Sequence, residues 1–155
     1  MNTGASMNRG GSRQDYETPV DFMRAVEKRF GVMNVDLAAR SDNAKAPVWI
    51  DEKKDSLLED WGSLKGNLWL NPPFSNIAPW AQKCAIESAN GARIFFLTPA
   101  SVGSNWFSKF VHKKATVLFL NGRITFVGAK DPYPKDCILS CFSYGEPYYE
   151  VWKWK

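Results

Sequence analysis

Apolar residues Phe22, Met23, Val26 and Phe30 recur at helical spacing and stop at Gly31, so the pattern predicts a first helix that a glycine closes. Thr18-Pro19-Val20-Asp21 reads as its start. Thr18 is expected to cap, Pro19 to take the first helical position, and Asp21 to return a hydrogen bond to the cap. Val32 to Ala39 is short, apolar and partly β-branched, which predicts a first strand with Asp36 near its carboxyl end. A polar loop over 40–45 leads to a short strand at Pro47 to Ile50, which ends at the acidic pair Asp51 and Glu52. Gly66 to Leu70 predicts a strand that runs straight into Asn71-Pro72-Pro73-Phe74, where two successive prolines end any regular element.

Ile77, Trp80, Ala81, Cys84 and Ala85 then mark one side of a second helix, from Ile77 to Asn90, with Pro79 in its first turn and Gly91 at its end. The near-continuous apolar run from Ala92 to Leu97 fits a central strand covered on both faces. Ser104 is expected to cap a short helix carrying Trp106, Phe107, Phe110 and Val111. Strands are predicted over Thr116–Leu120, Arg123–Val127, Cys137–Tyr144 and Tyr149–Trp154, with Asn121-Gly122 as a turn signal. This order predicts an α/β fold with a mixed, mainly parallel sheet and an antiparallel C-terminal edge. Ligands of such sheets sit beyond the carboxyl ends of the strands, where Asp36, Asp51 and Asn71 all fall.

The chain has 155 residues, 45% of them hydrophobic, which suffices for one core and not for two ordinary domains. Residues 1–15 hold almost nothing apolar and are expected to form a disordered tail before a single domain over 16–155. No run of about eighteen apolar residues and no secretory signal is present, so a soluble, cytoplasmic protein without membrane contact is expected. Three cysteines and a single histidine make a metal site unexpected; Cys137 and Cys141, four apart in a strand, should share one buried face. The net charge of +4 suits a polyanionic partner without requiring one.

The tetrapeptide carries the chemistry. An exocyclic amino nitrogen on a purine is a poor nucleophile, because its lone pair is delocalised into the ring. Two acceptors for its hydrogens, an amide oxygen from Asn71 and the carbonyl of Pro72, would localise that pair and stabilise the positive charge that develops on methylation. Pro73 has no N–H to donate, and two rings in series hold the Pro72 carbonyl in place beforehand. Phe74 offers a face on which a base taken out of the helix can stack, a contribution of about 1 to 3 kcal/mol. No strong base is needed, so His112, on a predicted helix beside Lys113 and Lys114, is not required.

The chain resembles the phage-associated DNA adenine methyltransferases, within the amino-methyltransferases that carry an Asp/Asn-Pro-Pro-Tyr/Phe signature. The resemblance runs from Tyr16 to about Phe142 through Tyr16-Glu17-Thr18-Pro19, Asp36-Leu37-Ala38-Ala39 with Asn43-Ala44-Lys45, Asp55-Ser56-Leu57 with Trp61, Asn71-Pro72-Pro73-Phe74-Ser75, Leu97-Thr98-Pro99-Ala100, Trp106-Phe107 and Gly122-Arg123-Ile124-Thr125-Phe126. It implies a class I, Rossmann-like methyltransferase fold, with S-adenosyl-L-methionine over the strand ends and a bacterial host or prophage setting. It further implies that Tyr16, Thr18 and Pro19 lie against the methionine part of the donor, and Asp36 and Ala38 in the loop beneath it. Asp51 would face the ribose hydroxyls, and Asp55 with Ser56 would lie near the adenine. Two departures stand out: Asp-Leu-Ala-Ala replaces the usual glycine-rich turn, which weakens the expectation for donor binding, and Phe74 replaces the commoner tyrosine, which leaves stacking intact.

The substrate implied is DNA with an adenine flipped out of the duplex. Arg123, with Lys113 and Lys114 near it, would hold phosphates, and the polar loop from Ala129 to Lys135 would contribute sequence preference. Two other readings fit the same residues. One is a methyltransferase acting on an amino or amide nitrogen of RNA or protein; the other is a non-catalytic nucleic-acid-binding module that has kept the fold and lost the donor.

Overall fold

The computed structural model describes residues 16–155, and the tail expected over 1–15 lies outside the described residues. Two α-helices, α1 (Val20–Phe30) and α2 (Ala78–Ala89), flank seven strands. The strands are β1 (Val35–Asp36), β2 (Val48–Trp49), β3 (Asn67–Leu70), β4 (Arg93–Pro99), β5 (Ala115–Asn121), β6 (Cys137–Phe142) and β7 (Tyr149–Lys153). They form one sheet in the order β2-β1-β3-β4-β6-β5-β7. All run parallel except β6, which pairs antiparallel with both β4 and β5. Among the described residues no helix is long and apolar enough to cross a membrane, and no cluster of His, Cys, Asp and Glu could hold a metal ion.

Each face of the sheet buries its own core. On one, Leu68, Leu70, Ile94 and Phe96 meet Ala81 and Cys84 of α2, with Trp61, Phe107 and Val111 beside them. On the other, Trp69, Phe95, Leu97 and Leu139 meet Phe22, Met23 and Val26 of α1. Cys137 and Cys141 share this second face, as their spacing requires, and burial pushes both thiols up to about 12. Gly31 closes α1 at φ +92°, with its N–H bonded to the Glu27 carbonyl at 2.9 Å.

Three expectations are corrected. Thr18 does not cap α1: Pro19 is the N-cap residue, Asp21 accepts from its own neighbour Phe22, and the Thr18 hydroxyl is engaged elsewhere. The antiparallel strand is not at the edge; β6 lies inside the sheet, and edge strand β7 runs parallel to β5. Arg123–Val127 is not a strand. Its alternation is real, with Ile124 and Phe126 buried, but β5 already has β6 and β7 as neighbours. The segment instead crosses the α1 face, where the Val127 N–H bonds to Glu17 O at 3.0 Å. The chain over 104–112 forms a wide helical turn at Phe107–Val111, entered through a 3.4 Å bond from Phe107 N–H to the Ser104 hydroxyl.

Candidate active site

β3 lies third of the seven strands, between β1 and β4, so Asn71 leaves the sheet near its middle and at the carboxyl edge of the parallel strands. The next two residues are prolines, which cannot extend the ladder, and Pro72 is buried. The Asn71 amide group donates to the Tyr16 carbonyl and, at 3.0 Å, to the Thr18 hydroxyl. Both donors of Nδ2 are therefore used, which fixes the orientation of the side chain. Asn71 Oδ1 is left buried with no hydrogen-bond partner. An orphaned buried acceptor costs about 1–3 kcal/mol, and this one belongs to a residue that lines two cavities, where a donor could meet it.

The segment 16–19 that orients this amide is itself pinned. Lys45 pairs with the Glu17 carboxylate at 2.9 Å, with both groups partly buried. Asp36, at the end of β1, accepts from the backbone N–H of Ala38 at 3.2 Å and of Lys45 at 3.0 Å. Its carboxyl is pushed up to about 6 by burial, an effect that those two hydrogen bonds and the Lys45 charge partly offset. Asp36 thus shapes the loop over 38–45.

Two cavities meet at Asn71. The larger, a cleft of about 440 Å³, is lined by Ala38, Ala39, Asp51, Asp55, Ser56 and Pro73, with Arg40, Asn43, Glu52 and Lys54, and with Ile50 and Trp80 as an apolar wall. The smaller, about 40 Å³, lies over Asp36 and Trp69 beside Tyr16 and Thr18. They share Ala38, Asn43 and Asn71. Asp51 lies two residues past β2, and Asp55 caps the turn at Ser56–Leu58 by accepting from Leu57 N–H at 3.1 Å. The Ser56 hydroxyl is buried without a partner, a second unmet polar atom in the lining of the cleft. Behind it, the Trp61 indole N–H holds the Ser56 carbonyl at 3.0 Å, and the Trp61 ring stacks on Trp80 at 6.4 Å.

Seven of the eight residues expected around a donor therefore line these two cavities, and Pro19 lines neither. Small Ala38 and Ala39 border the larger cleft. Phe74 is not open to it: its ring packs against Tyr16, Phe126 and Tyr133, with centroids 5.3, 6.0 and 5.7 Å away. The three basic residues do not form one patch. Arg123 follows the carboxyl end of β5, on the site's edge, and pairs with Asp136 at 3.2 Å. Lys113 and Lys114 precede that seven-residue strand, about 20 Å away on the opposite edge. His112 is beside them, bonded to the Tyr149 hydroxyl.

Sequence reasoning missed Trp80 and Ile50 as cleft walls. Trp80 sits on the apolar stripe of α2, which reads as core; the usable signal is its place in the first turn after the proline pair. Lys45 and Glu17 both belong to motifs that carried the resemblance, but nothing local joins two segments so far apart in the chain.

A model of the family described as DNA N-6-adenine-methyltransferase (Dam) matches residues 6–139. A DNA N-6-adenine-methyltransferase of Escherichia phage T1 is 26% identical over 113 residues, which are 73% of this chain and 47% of that protein. Another, from Haemophilus phage HP1 (strain HP1c1), is 25% identical over 116 residues, 72% of this chain and 65% of the relative. The matched part thus spans about half the length of the first relative and just under two thirds of the second. With most of its length inside the family match, the chain belongs to the DNA N-6-adenine-methyltransferase (Dam) family.

Proposed function

We infer that the protein transfers a methyl group from S-adenosyl-L-methionine to the N6 amino group of adenine in DNA, on a class I methyltransferase fold and in the cytoplasm of a bacterial host. The observation that carries this reading is the orphaned Asn71 Oδ1, locked in orientation and bordered by a nucleoside-sized cleft. When bound, the donor supplies an electrophilic methyl carbon on a sulfonium.

The residues divide the remaining work. Asp51, at the end of β2, is positioned for a ribose diol; Ser56 offers an unmet hydroxyl, and Trp80 and Ile50 a flat apolar wall for a purine. Asn71 Oδ1 accepts one N6 hydrogen and the Pro72 carbonyl the other, so the nitrogen lone pair turns out of conjugation toward the methyl carbon. With a donor bound, transfer of its methyl group to N6 would break the carbon–sulfur bond and leave the nitrogen cationic, and that nitrogen would then release its proton to water. Phe74 stacks the target base, Pro73 closes the cleft beside it, and Arg123 holds a phosphate on the same edge of the sheet.

Incubating the protein with tritium-labelled donor and, separately, DNA, RNA and a protein mixture tests the reading. Label is expected in DNA as N6-methyladenine; label confined to RNA or protein would replace the substrate. Absence of any melting-temperature rise with S-adenosylhomocysteine would favour a non-catalytic module. Thr18 supplies a further check, because its hydroxyl is one of two acceptors orienting the Asn71 amide. Thr18→Val is expected to lower kcat about tenfold, the loss of roughly one hydrogen bond to the catalytic geometry, and Thr18→Ser to restore it. S-adenosylhomocysteine affinity, measured by calorimetry, should change little in either variant.

A further inference from the structure

We propose that Tyr133 occupies the place of the target base on Phe74, and that the loop over 128–135 must swing out before a base can reach Asn71. The inference rests on the reading of Asn71 and Phe74 given above.

Tyr16, Phe74, Phe126 and Tyr133 form a closed cluster in which every pair of ring centroids is between 5.1 and 6.0 Å apart. A base stacked between two rings needs two van der Waals spacings, roughly 7 Å in all. No purine fits. Consistently, Phe74 lines neither of the cavities that meet at Asn71, and Asn71 Oδ1 is shut off from solvent although it has no partner.

One ring has to leave, and the surroundings select it. Phe126 is buried in the core on the α1 face, as part of the segment that crosses that helix. The Tyr16 backbone cannot shift without releasing the Asn71 amide, which its carbonyl holds, and its neighbour Glu17 is tied to both Lys45 and Val127. Tyr133 differs: from Val127 to Asp136 every residue is exposed except Tyr133, so the loop's inward packing rests on that ring. Two backbone bonds tie the loop to the segment before it, from Ala129 N–H to Phe126 O at 3.0 Å, which holds only its first turn, and from Tyr133 N–H to Ile124 O at 2.7 Å. Pro132 and Pro134 stiffen the chain on both sides of the ring, while Gly128, at φ +84°, supplies a backbone conformation that other residues resist. The loop leads into β6 at the carboxyl edge of the parallel strands, the side from which DNA must approach Asn71.

A displaced plug and a stacking wall make opposite predictions for Tyr133→Ala. If Tyr133 is the plug, its removal relieves the opening cost, and kcat/KM for DNA should rise about threefold or more, with S-adenosylhomocysteine affinity unchanged. Unmethylated genomic DNA is the substrate, because it presents every target. A fall in kcat/KM in a variant that melts cooperatively would overturn the proposal and make Tyr133 a wall of the base site. A second measurement needs no deletion of the ring: 3-fluorotyrosine placed at position 133 of the full chain, observed by fluorine NMR. Its signal should move toward that of free fluorotyrosine when DNA and sinefungin are added, and an unmoved signal would refute displacement. Wild-type protein that leaves DNA unmethylated would refute the functional reading and the plug with it, whereas active wild type with a slower Tyr133→Ala variant refutes the plug alone.

Discussion

Asn71→Ala is expected to lower kcat by roughly 10²- to 10³-fold, the usual cost of removing one preorganised polar group aimed at developing charge. Affinity for S-adenosylhomocysteine should stay within a few-fold, because the lost contact is made mainly in the transition state. The reason lies in how the side chain is held. Its amide donors are consumed by Tyr16 O and the Thr18 hydroxyl, so its oxygen is already oriented before substrate arrives and the amide itself need not turn. Asn71→Asp sharpens the argument. It keeps an acceptor but sets a carboxylate oxygen against the Tyr16 carbonyl and removes both donor bonds. It should therefore recover only part of the activity and loosen the segment over 16–19. Steady-state kinetics at saturating donor and DNA check both variants.

The second large effect is on donor binding. Asp36→Ala is expected to weaken S-adenosylhomocysteine binding at least about tenfold by calorimetry, since two backbone hydrogen bonds that shape the 38–45 loop are lost together. Global stability responds differently. In the folded protein the carboxyl titrates near 6, above its ordinary 3.8, because burial disfavours the charge. The folded state therefore holds the proton more tightly than the unfolded state. The stabilisation is full below about pH 4, is lost as pH rises toward 6, and totals roughly 3 kcal/mol. Wild-type stability should fall across that window, and Asp36→Ala should flatten the slope. At pH 8 the variant should melt close to wild type, because the cost of burying a carboxylate disappears with the hydrogen bonds. Loss of donor affinity without a matching loss of stability is the signature expected.

Much of this site could be read from the chain because its parts are local. An apolar strand broken by two prolines has to end where it does, and residues after such a strand fall on the carboxyl edge, which located Asn71. Asp51 and Asp55 follow the same logic, at a strand end and a turn start. What escaped is nonlocal. Thr18 looks like a helix cap in sequence and serves instead as an acceptor for Asn71, fifty-three residues away. Ile124 and Phe126 alternate as a strand does, yet no sheet edge was free to receive them. Lys113 and Lys114 read as neighbours of Arg123 only while the strand between them is ignored. Trp80 followed a helical stripe, and nothing in that stripe separates a core ring from one at the rim of a cleft. The packing of Tyr133 on Phe74 likewise has no trace in the sequence beyond a tyrosine between prolines.

The proposed reaction rests on one unmet atom, so the direct test is to measure what meets it. Once the target sequence is mapped, a crystal structure with sinefungin and target DNA gives the distance from Asn71 Oδ1 to the adenine N6. The predicted value is about 3 Å, with the base stacked on Phe74 and the Asn71 amide still bonded to Thr18. An adenine bound with its N6 away from Asn71, or Asn71 Oδ1 satisfied by another protein group, would contradict the account.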